Sequence, residues 1–208
     1  MRKLLILVVL LVLIAGAADT ASRIAMQHQL EQRIDGYVPG AAAKVTIHSF
    51  PFLPKVAAWG RVDQITAHAR QVSQGPFVLD RVDVAVRGVR INRHRLINEQ
   101  KLEIVSIDTG TVTADMTQAD LAHLLGVTVI LGAGTAQVTE AGVTVAGLIS
   151  ISNGRIRLEA AGQRVSVAIP TLPILPCLAE VRIIPGHLVG SCTFHEIPTA
   201  LKVALEQA

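Results

Sequence analysis

The sequence predicts an α+β fold that is mostly β, a long curved antiparallel sheet accompanied by an amphipathic helix. Three observations predict it. Half of the 208 residues are apolar but only 3% are aromatic. The apolar mass is therefore Val, Ile, Leu and Ala, which suits extended aliphatic faces better than a core of rings. Apolar and polar residues alternate with period two in several long stretches after residue 44, well beyond the usual strand of five or six residues. Those stretches change phase near glycines or paired hydrophobics, as a long coiled sheet requires.

The first element is the N-terminal segment. "MRK" is followed by the uninterrupted apolar run Leu4 to Ala18, "LLILVVLLVLIAGAA". As a helix this run spans about 22 Å, short of the roughly 30 Å hydrocarbon core. Ala15-Gly16-Ala17 offers a small-x-small cleavage site. Two readings stand: residues 1–18 are a signal peptide removed on export, or an uncleaved signal anchor whose helix runs on through "DTAS". Both place the remainder outside the cytoplasmic membrane, in the cell envelope or periplasm. Residues 19–208 show no internal repeat or low-complexity linker and are read as one domain. Without Arg2 and Lys3 the net charge of +3 falls to +1. That balance does not support bulk attraction to nucleic acid.

"DTASRIAMQHQLEQRIDGYVPG" predicts an amphipathic helix, capped by Asp19 or Thr20 and ended by Gly36 and Pro39-Gly40. Met26, Leu30, Ile34 and Tyr37 recur at helical spacing, opposite Arg23, Gln27, Gln29, Glu31 and Arg33. Strands follow. Val45 and Ile47 alternate. So do Ile65, Ala67 and Ala69, with Val62 out of phase. Val82, Val84 and Val86 alternate until Gly88 shifts the pattern to Val89 and Ile91. "QKLEIVSIDTGTVTADM" is read as one further long strand with a shift. "TQADLAHLLG" is a helix with a capping-box start at Thr117 and Asp120 and a closing Gly126. Short strands with turns at Gly132/Gly134, Gly142, Asn153-Gly154 and Gly162 come next, and "IPTALKVALEQ" predicts a terminal helix.

The two cysteines, Cys177 and Cys192, flank "LAEVRIIPGHLVGS", which reads as a hairpin about Pro185-Gly186. In an oxidising compartment they are expected to form a disulfide, stabilising by about 3 kcal/mol. The Cys-x14-Cys spacing with His187 and His195 matches no usual zinc pattern, so no metal site is expected. No cofactor is expected either. Gly190-Ser191-Cys192 lacks the context of a nucleophile elbow, Gly132-Ala133-Gly134 lacks that of a nucleotide loop, and the seven histidines show no ligand pairing. Asp108 and Asp115 have no spacing that joins them. Catalysis is not expected.

Two features are left for function. "FPFLPKVAAWG" holds three of the six aromatic residues, framed by two prolines and a glycine that exclude an ordinary strand. Phe50, Phe52, Leu53 and Trp59 form either an end plug or apolar groups held out at an opening. "RGVRINRHRLINEQK" reads as a basic loop at one sheet end. Arg87, Arg90, Arg93 and Arg95 are there either as a solvated tip or as ligands for a phosphate head group.

The order of export segment, juxtamembrane helix, "VTIHSFPFLPKVAAWGRVDQITAHARQV", "FVLDRVDVAVRGVRI" and "TVTADMTQADLAHLL" resembles the actinobacterial LmeA-like phospholipid-binding proteins. The resemblance implies a long curved sheet wrapped around a helix, akin to tubular lipid-binding folds. It also implies binding of phospholipids such as phosphatidylinositol in the envelope, with some members linked to elongation of lipoglycans. Applied to these residues, the tails would lie against Met26, Leu30 and Ile34 on the helix and Val45, Ile47, Val82, Val84 and Val86 on the strands. Phe50, Phe52, Leu53 and Trp59 would stand where the trough meets a membrane surface. A runner-up reading is a non-catalytic envelope scaffold whose β-surface holds a protein partner.

Overall fold

The computed structural model describes residues 2–37, 40, 42–74, 76–99, 103–140, 143–152, 155–160, 162–168 and 180–197. It is mostly β, with antiparallel sheets and one long helix, and among the described residues the sheets do not close into a barrel. The expected terminal helix and Cys177 lie outside the described residues.

Helix α1 (Arg2–Tyr37) is continuous, so the apolar run and the expected amphipathic helix are one element. Asp19 and Thr20 are not its cap. Thr20 Oγ1 donates to Gly16 O within the helix at 3.0 Å. Nothing between Ala15 and Ser22 stops a helix, because a single interior glycine costs only about 1 kcal/mol. Residues 14–18 are exposed, whereas Asp19 is buried at 7%. From there on Met26 and Leu30 pack against the core. The helix meets the sheet along its edge strand β1 (Lys44–His48), where the Val45 N–H donates to Glu31 Oε1 at 2.9 Å. A carboxylate thus satisfies an edge-strand donor that would otherwise face solvent or another chain.

After β1 come a helical turn α2 (Phe52–Pro54), a π-helical turn Lys55–Trp59, and the long hairpin β2 (Arg61–Gln74) and β3 (Phe77–Ile91). The hairpin keeps one register from Arg61↔Arg90 to Gln74↔Phe77. Its buried residues nevertheless change parity twice. Val62 and Val89 are buried at one end, Val72 and Leu79 near the other, while Val82 and its neighbours Ile65, Ala67, Val84 and Val86 follow the opposite parity between them. The switches fall where Gly88 (φ +61°) and Gln71 (φ +53°) take left-handed backbone conformations. Both strands turn over together, which coils the ribbon without slipping the register. The phase shift read at Gly88 is therefore a coil of the paired ribbon.

Asn92 then caps a short helix α3 (Arg93–Asn98), its side chain accepting from the Arg95 N–H at 3.3 Å. The basic stretch is thus strand end plus helix, not a loop. The expected long strand after it is split into β4 (Ile104–Ser106) and β5 (Thr109–Thr117). The split occurs because Asp108 turns aside. Its N–H donates to Arg87 O at 3.0 Å, and its carboxylate fills the place where a Cβ on Gly88 would stand 1.9 Å away.

The first sheet runs β1-β2-β3-β5 and continues with the last two described strands of the chain, with β4 also paired to β3. Its last two strands, β11 (Glu180–Ile184) and β12 (His187–Phe194), form the hairpin expected about Pro185-Gly186. Helix α4 (Gln118–Leu125) begins at the Thr117 cap and ends at Gly126, as its sequence predicts. Beyond it, β6 (Thr128–Leu131), β7 (Ala136–Glu140), β8 (Val143–Ser152), β9 (Arg155–Ala160) and β10 (Gln163–Ala168) make a second, meandering sheet. α4 bridges the two with Leu121 and Leu125 buried. Backbone bonds from Gly186 N to Leu131 O and from Gly134 N to Ile183 O add a second link. Buried residues of both sheets belong to one hydrophobic cluster.

One contact in that cluster sets a close tolerance. Phe194 on β12 lies opposite Gly110 on β5, and a Cβ at Gly110 would approach the ring to 2.2 Å. Gly110→Ala is expected to cost about 1–3 kcal/mol by overpacking. Urea denaturation checks this, and the double variant Gly110→Ala/Phe194→Leu should recover part of the loss.

Candidate functional site

The inward face of the first sheet can be followed strand by strand. One row runs Val45, Ala67, Val84, Val112, Cys192, and the next Ile47, Ile65, Val86, Gly110, Phe194. A third runs Ala69, Val82, Ala114, Gly190. The flanks are closed: Val45, Ile47, Val112, Cys192 and Phe194 are all under 10% exposed. The middle is not. Ile65, Ala67, Ala69, Val84 and Val86 are only half-buried although every neighbour in the row is apolar. Small side chains at Ala67 and Ala69 leave this stretch shallow-walled, whereas the space over Gly110 is taken by the Phe194 ring. At both ends of β2 the ribbon coils and its residues become fully buried, Val62 at 0% and Val72 at 2%. The result is a half-buried aliphatic strip, called the furrow below, about five residues long and roughly 17 Å at strand rise, packed against the core and bounded by fully buried ends.

Of the residues expected to meet acyl tails, the structure brings Val45, Ile47, Val82, Val84 and Val86 onto this one face. Met26 and Leu30 join the same hydrophobic cluster from α1, and Ile34 is half-buried farther along the helix. The aromatic stretch divides. Phe52 is buried at 3% with Val56, while Phe50 is 77% exposed, Trp59 71% and Leu53 36%. The plug and the outward groups are thus both present, on opposite sides of one turn. The helical turns after Pro51 put Phe52 and Val56, four residues apart, inside together, and a strand pattern could not have revealed it.

Three contacts fix this turn. The Leu53 N–H donates to Asp19 Oδ1 at 2.6 Å, which pins it to α1. Lys55 Nζ donates to Asp63 Oδ2 at 2.5 Å and Ser49 Oγ to the same oxygen at 3.3 Å. Asp63 on β2 thereby clasps the start and the middle of the turn. The bond and charge of Lys55, aided by Ser49 and Arg61, hold the Asp63 carboxyl below the usual aspartate range.

The arginines do not form one cluster. Arg95 faces Glu103 at 3.5 Å and Glu99 at 3.9 Å, so its charge is already met. Arg93 Nη1 donates to Ala58 O at 2.6 Å, beside Trp59. Arg87 and Arg90 stand exposed on β3, Arg90 directly opposite Arg61. Arg61 itself pairs with Asp108 at 3.3 Å. Sequence reading missed Arg23, one turn beyond Asp19, whose buried Nε has no hydrogen-bond partner among the described residues. A buried donor without an acceptor costs about 1–3 kcal/mol, so it invites an anionic oxygen. The spacing of Arg23 places it opposite the apolar stripe of α1, with Gln27 and Glu31, yet all three are half-buried.

Asp108 and Asp115 stand at opposite ends of β5, Asp108 with Arg61 and Asp115 with His187 at 2.9 Å. His68 is exposed and bonds Asp83 across the hairpin at 2.6 Å. Among the described residues no three metal-ligating side chains converge. Two surface depressions of about 390 Å³ each lie away from the furrow, one beside Leu148 and Arg164 and one beside Thr113 and Arg182. Cys192 is buried on β12.

The family model for LmeA-like phospholipid-binding proteins matches residues 14–184. The match spans α1 from inside its apolar run, the aromatic turn, the coiled hairpin and the second sheet, and the chain belongs to this family. No curated protein and no solved structure matches it.

The clasp is testable by acid. Because Asp63 is held below its free value, its contribution is complete at neutral pH and is lost as pH falls below roughly 4. The pair is largely exposed, so screening bounds the effect at about 1 kcal/mol. Thermal scans between roughly pH 5 and pH 2 should show a steeper loss of Tm for the native chain than for Asp63→Asn. Parallel curves would remove the clasp from the account.

Proposed function

We propose that this chain is an exported carrier or presenter of phospholipid in the bacterial cell envelope, without catalysis of its own. Acyl tails would lie in the furrow along β2 and β3. The single observation that carries the reading is the half-buried row Ile65, Ala67, Ala69, Val84 and Val86 between fully buried flanks. A half-buried aliphatic strip beside a cluster of this size is less favourable in water than under a hydrocarbon chain. A tail of about 16 carbons leaving a bilayer gives up roughly 12 kcal/mol at about 0.8 kcal/mol per CH₂, so the acceptor must be a continuous dry surface.

Family membership supports phospholipid as the ligand class. The basic start and apolar run of residues 1–18 support export and residence at the outer side of the cytoplasmic membrane. Phosphatidylinositol as one ligand, and support of envelope lipoglycan assembly, follow the same family reading. For the head group, Arg23 with its unmet Nε joins Arg90 and Arg93, while Arg95 is set aside by its carboxylates. A disulfide between Cys177 and Cys192 is retained as part of the proposal. The scaffold alternative draws on exposed Leu148 on the outer face of β8 and on exposed Val143 at the start of that strand.

Mass spectrometry of gently purified full-length protein tests the proposal. Co-purifying phospholipid is expected, and Ala67→Phe or Val84→Phe should lower its yield at least several-fold while leaving Tm unchanged or raised, because each ring fills open apolar space. Protein free of lipid, or variants that carry as much as the native chain, would favour the scaffold.

A further inference from the structure

We infer that the turn from Phe50 to Trp59 is a docking collar that seats on an anionic phospholipid bilayer around the point where α1 leaves the fold. The inference rests on the lipid-binding reading for its purpose, but its observations are separate. Phe50, Leu53 and Trp59 are held outward by a turn whose interior is sealed by Phe52 and Val56. The rings are therefore not exposed for lack of room in the core. A rigid turn that presents two aromatic rings and a leucine to the outside fits the interfacial layer of a membrane, where an apolar body and a polar edge are both accommodated.

The direction of α1 identifies the partner. Asp19 is the first buried residue of the helix among those whose side chains are described, and it accepts the Leu53 N–H. The residues immediately before it, from Ile14 to Ala18, are exposed and continue the apolar run that begins at Leu4. Such a run favours hydrocarbon around it, although no helix among the described residues is long and apolar enough to cross a membrane. The Asp19–Leu53 bond therefore brings the membrane-seeking helix and the exposed rings to one end of the molecule. Two guanidinium groups stand beside them. Arg93 reaches Ala58 O next to Trp59, and Arg90 faces Arg61 on the strand that begins two residues after Trp59. Among the described residues neither Arg90 nor Arg93 has a carboxylate partner, so both can meet lipid phosphates. In this posture the β2–β3 hairpin starts at the head-group layer and the furrow runs outward from it.

Trp59 is the only tryptophan of the chain, so its fluorescence reports the collar directly. The full chain is reconstituted into vesicles of phosphatidylcholine alone and of phosphatidylcholine with phosphatidylglycerol, each with and without brominated acyl chains. The expected result is blue-shifted Trp59 emission, quenched by the brominated lipid and more strongly so in the anionic vesicles. Arg90→Gln and Arg93→Gln should each reduce the docked population about fivefold. Phe50→Ser should weaken quenching without changing Tm, since that ring is mostly exposed. Chain that floats with the vesicles while Trp59 keeps the unquenched emission of a solvated indole would overturn the collar. So would quenching indifferent to lipid charge and to Phe50→Ser. Phospholipid co-purifying with the protein is read separately, so the collar and the furrow can each fail independently.

Discussion

The coiling of the β2–β3 ribbon is the constraint on which the remaining architecture depends. A straight hairpin of this length would keep one face apolar from end to end, and that face would be either wholly covered or wholly wet. Reversing the inward side at Gly88 and again at Gln71 divides it into two sealed ends and a half-open middle. The reversal at Gly88 also creates the space that Asp108 fills. That in turn ends β4, starts β5, and provides the carboxylate that meets Arg61. Left-handed backbone is easily adopted by glycine and costs about 1 kcal/mol or more elsewhere, so Gln71 marks the place where tertiary pairing overrides local preference.

A second set of contacts works at the edges of the apolar region. Asp19, Glu31 and Asp63 are carboxylates, yet each is used to satisfy a donor next to hydrophobic surface. Together they lay α1 along the β1 edge and hold the aromatic turn in one posture. The helix closes an edge that would otherwise recruit another strand. The turn keeps its rings outside without opening the core. Stability and exposure of apolar groups are thereby separated: Phe52 and Val56 supply burial, which leaves Phe50 and Trp59 free for contact with something else.

Membership in the phospholipid-binding family and the open furrow converge on the same ligand chemistry from independent directions. The family match says what class of molecule is bound, and the half-buried aliphatic row says where hydrocarbon would reduce exposed apolar area. Neither feature calls for a nucleophile or a metal. The proposed site consists of surface, shape and a few unmet donors, which would let a protein hold a long flexible chain without directional bonds along its length.

Much of this was legible in the residues. Period-two alternation of Val, Ile and Ala fixed the strands, Gly88 announced a phase change, Thr117 with Asp120 announced α4, and Pro185-Gly186 announced the last hairpin. These signals are local, because each depends on spacing within one segment. Sequence could not tell that α1 is unbroken at Asp19, since a capping residue and a mid-helix carboxylate read alike until Leu53 arrives from far along the chain. Nor could it divide Phe52 from Phe50 and Trp59, separate Arg95 from Arg93, or place Arg23 inside. Those outcomes depend on which partner comes near, and burial and charge pairing are properties of the assembled chain. The sequence by itself determined that the chain is mostly strand and that its strands are aliphatic. Only tertiary structure decided that their shared face stays open in the middle, because the opening arises from two strands turning over together.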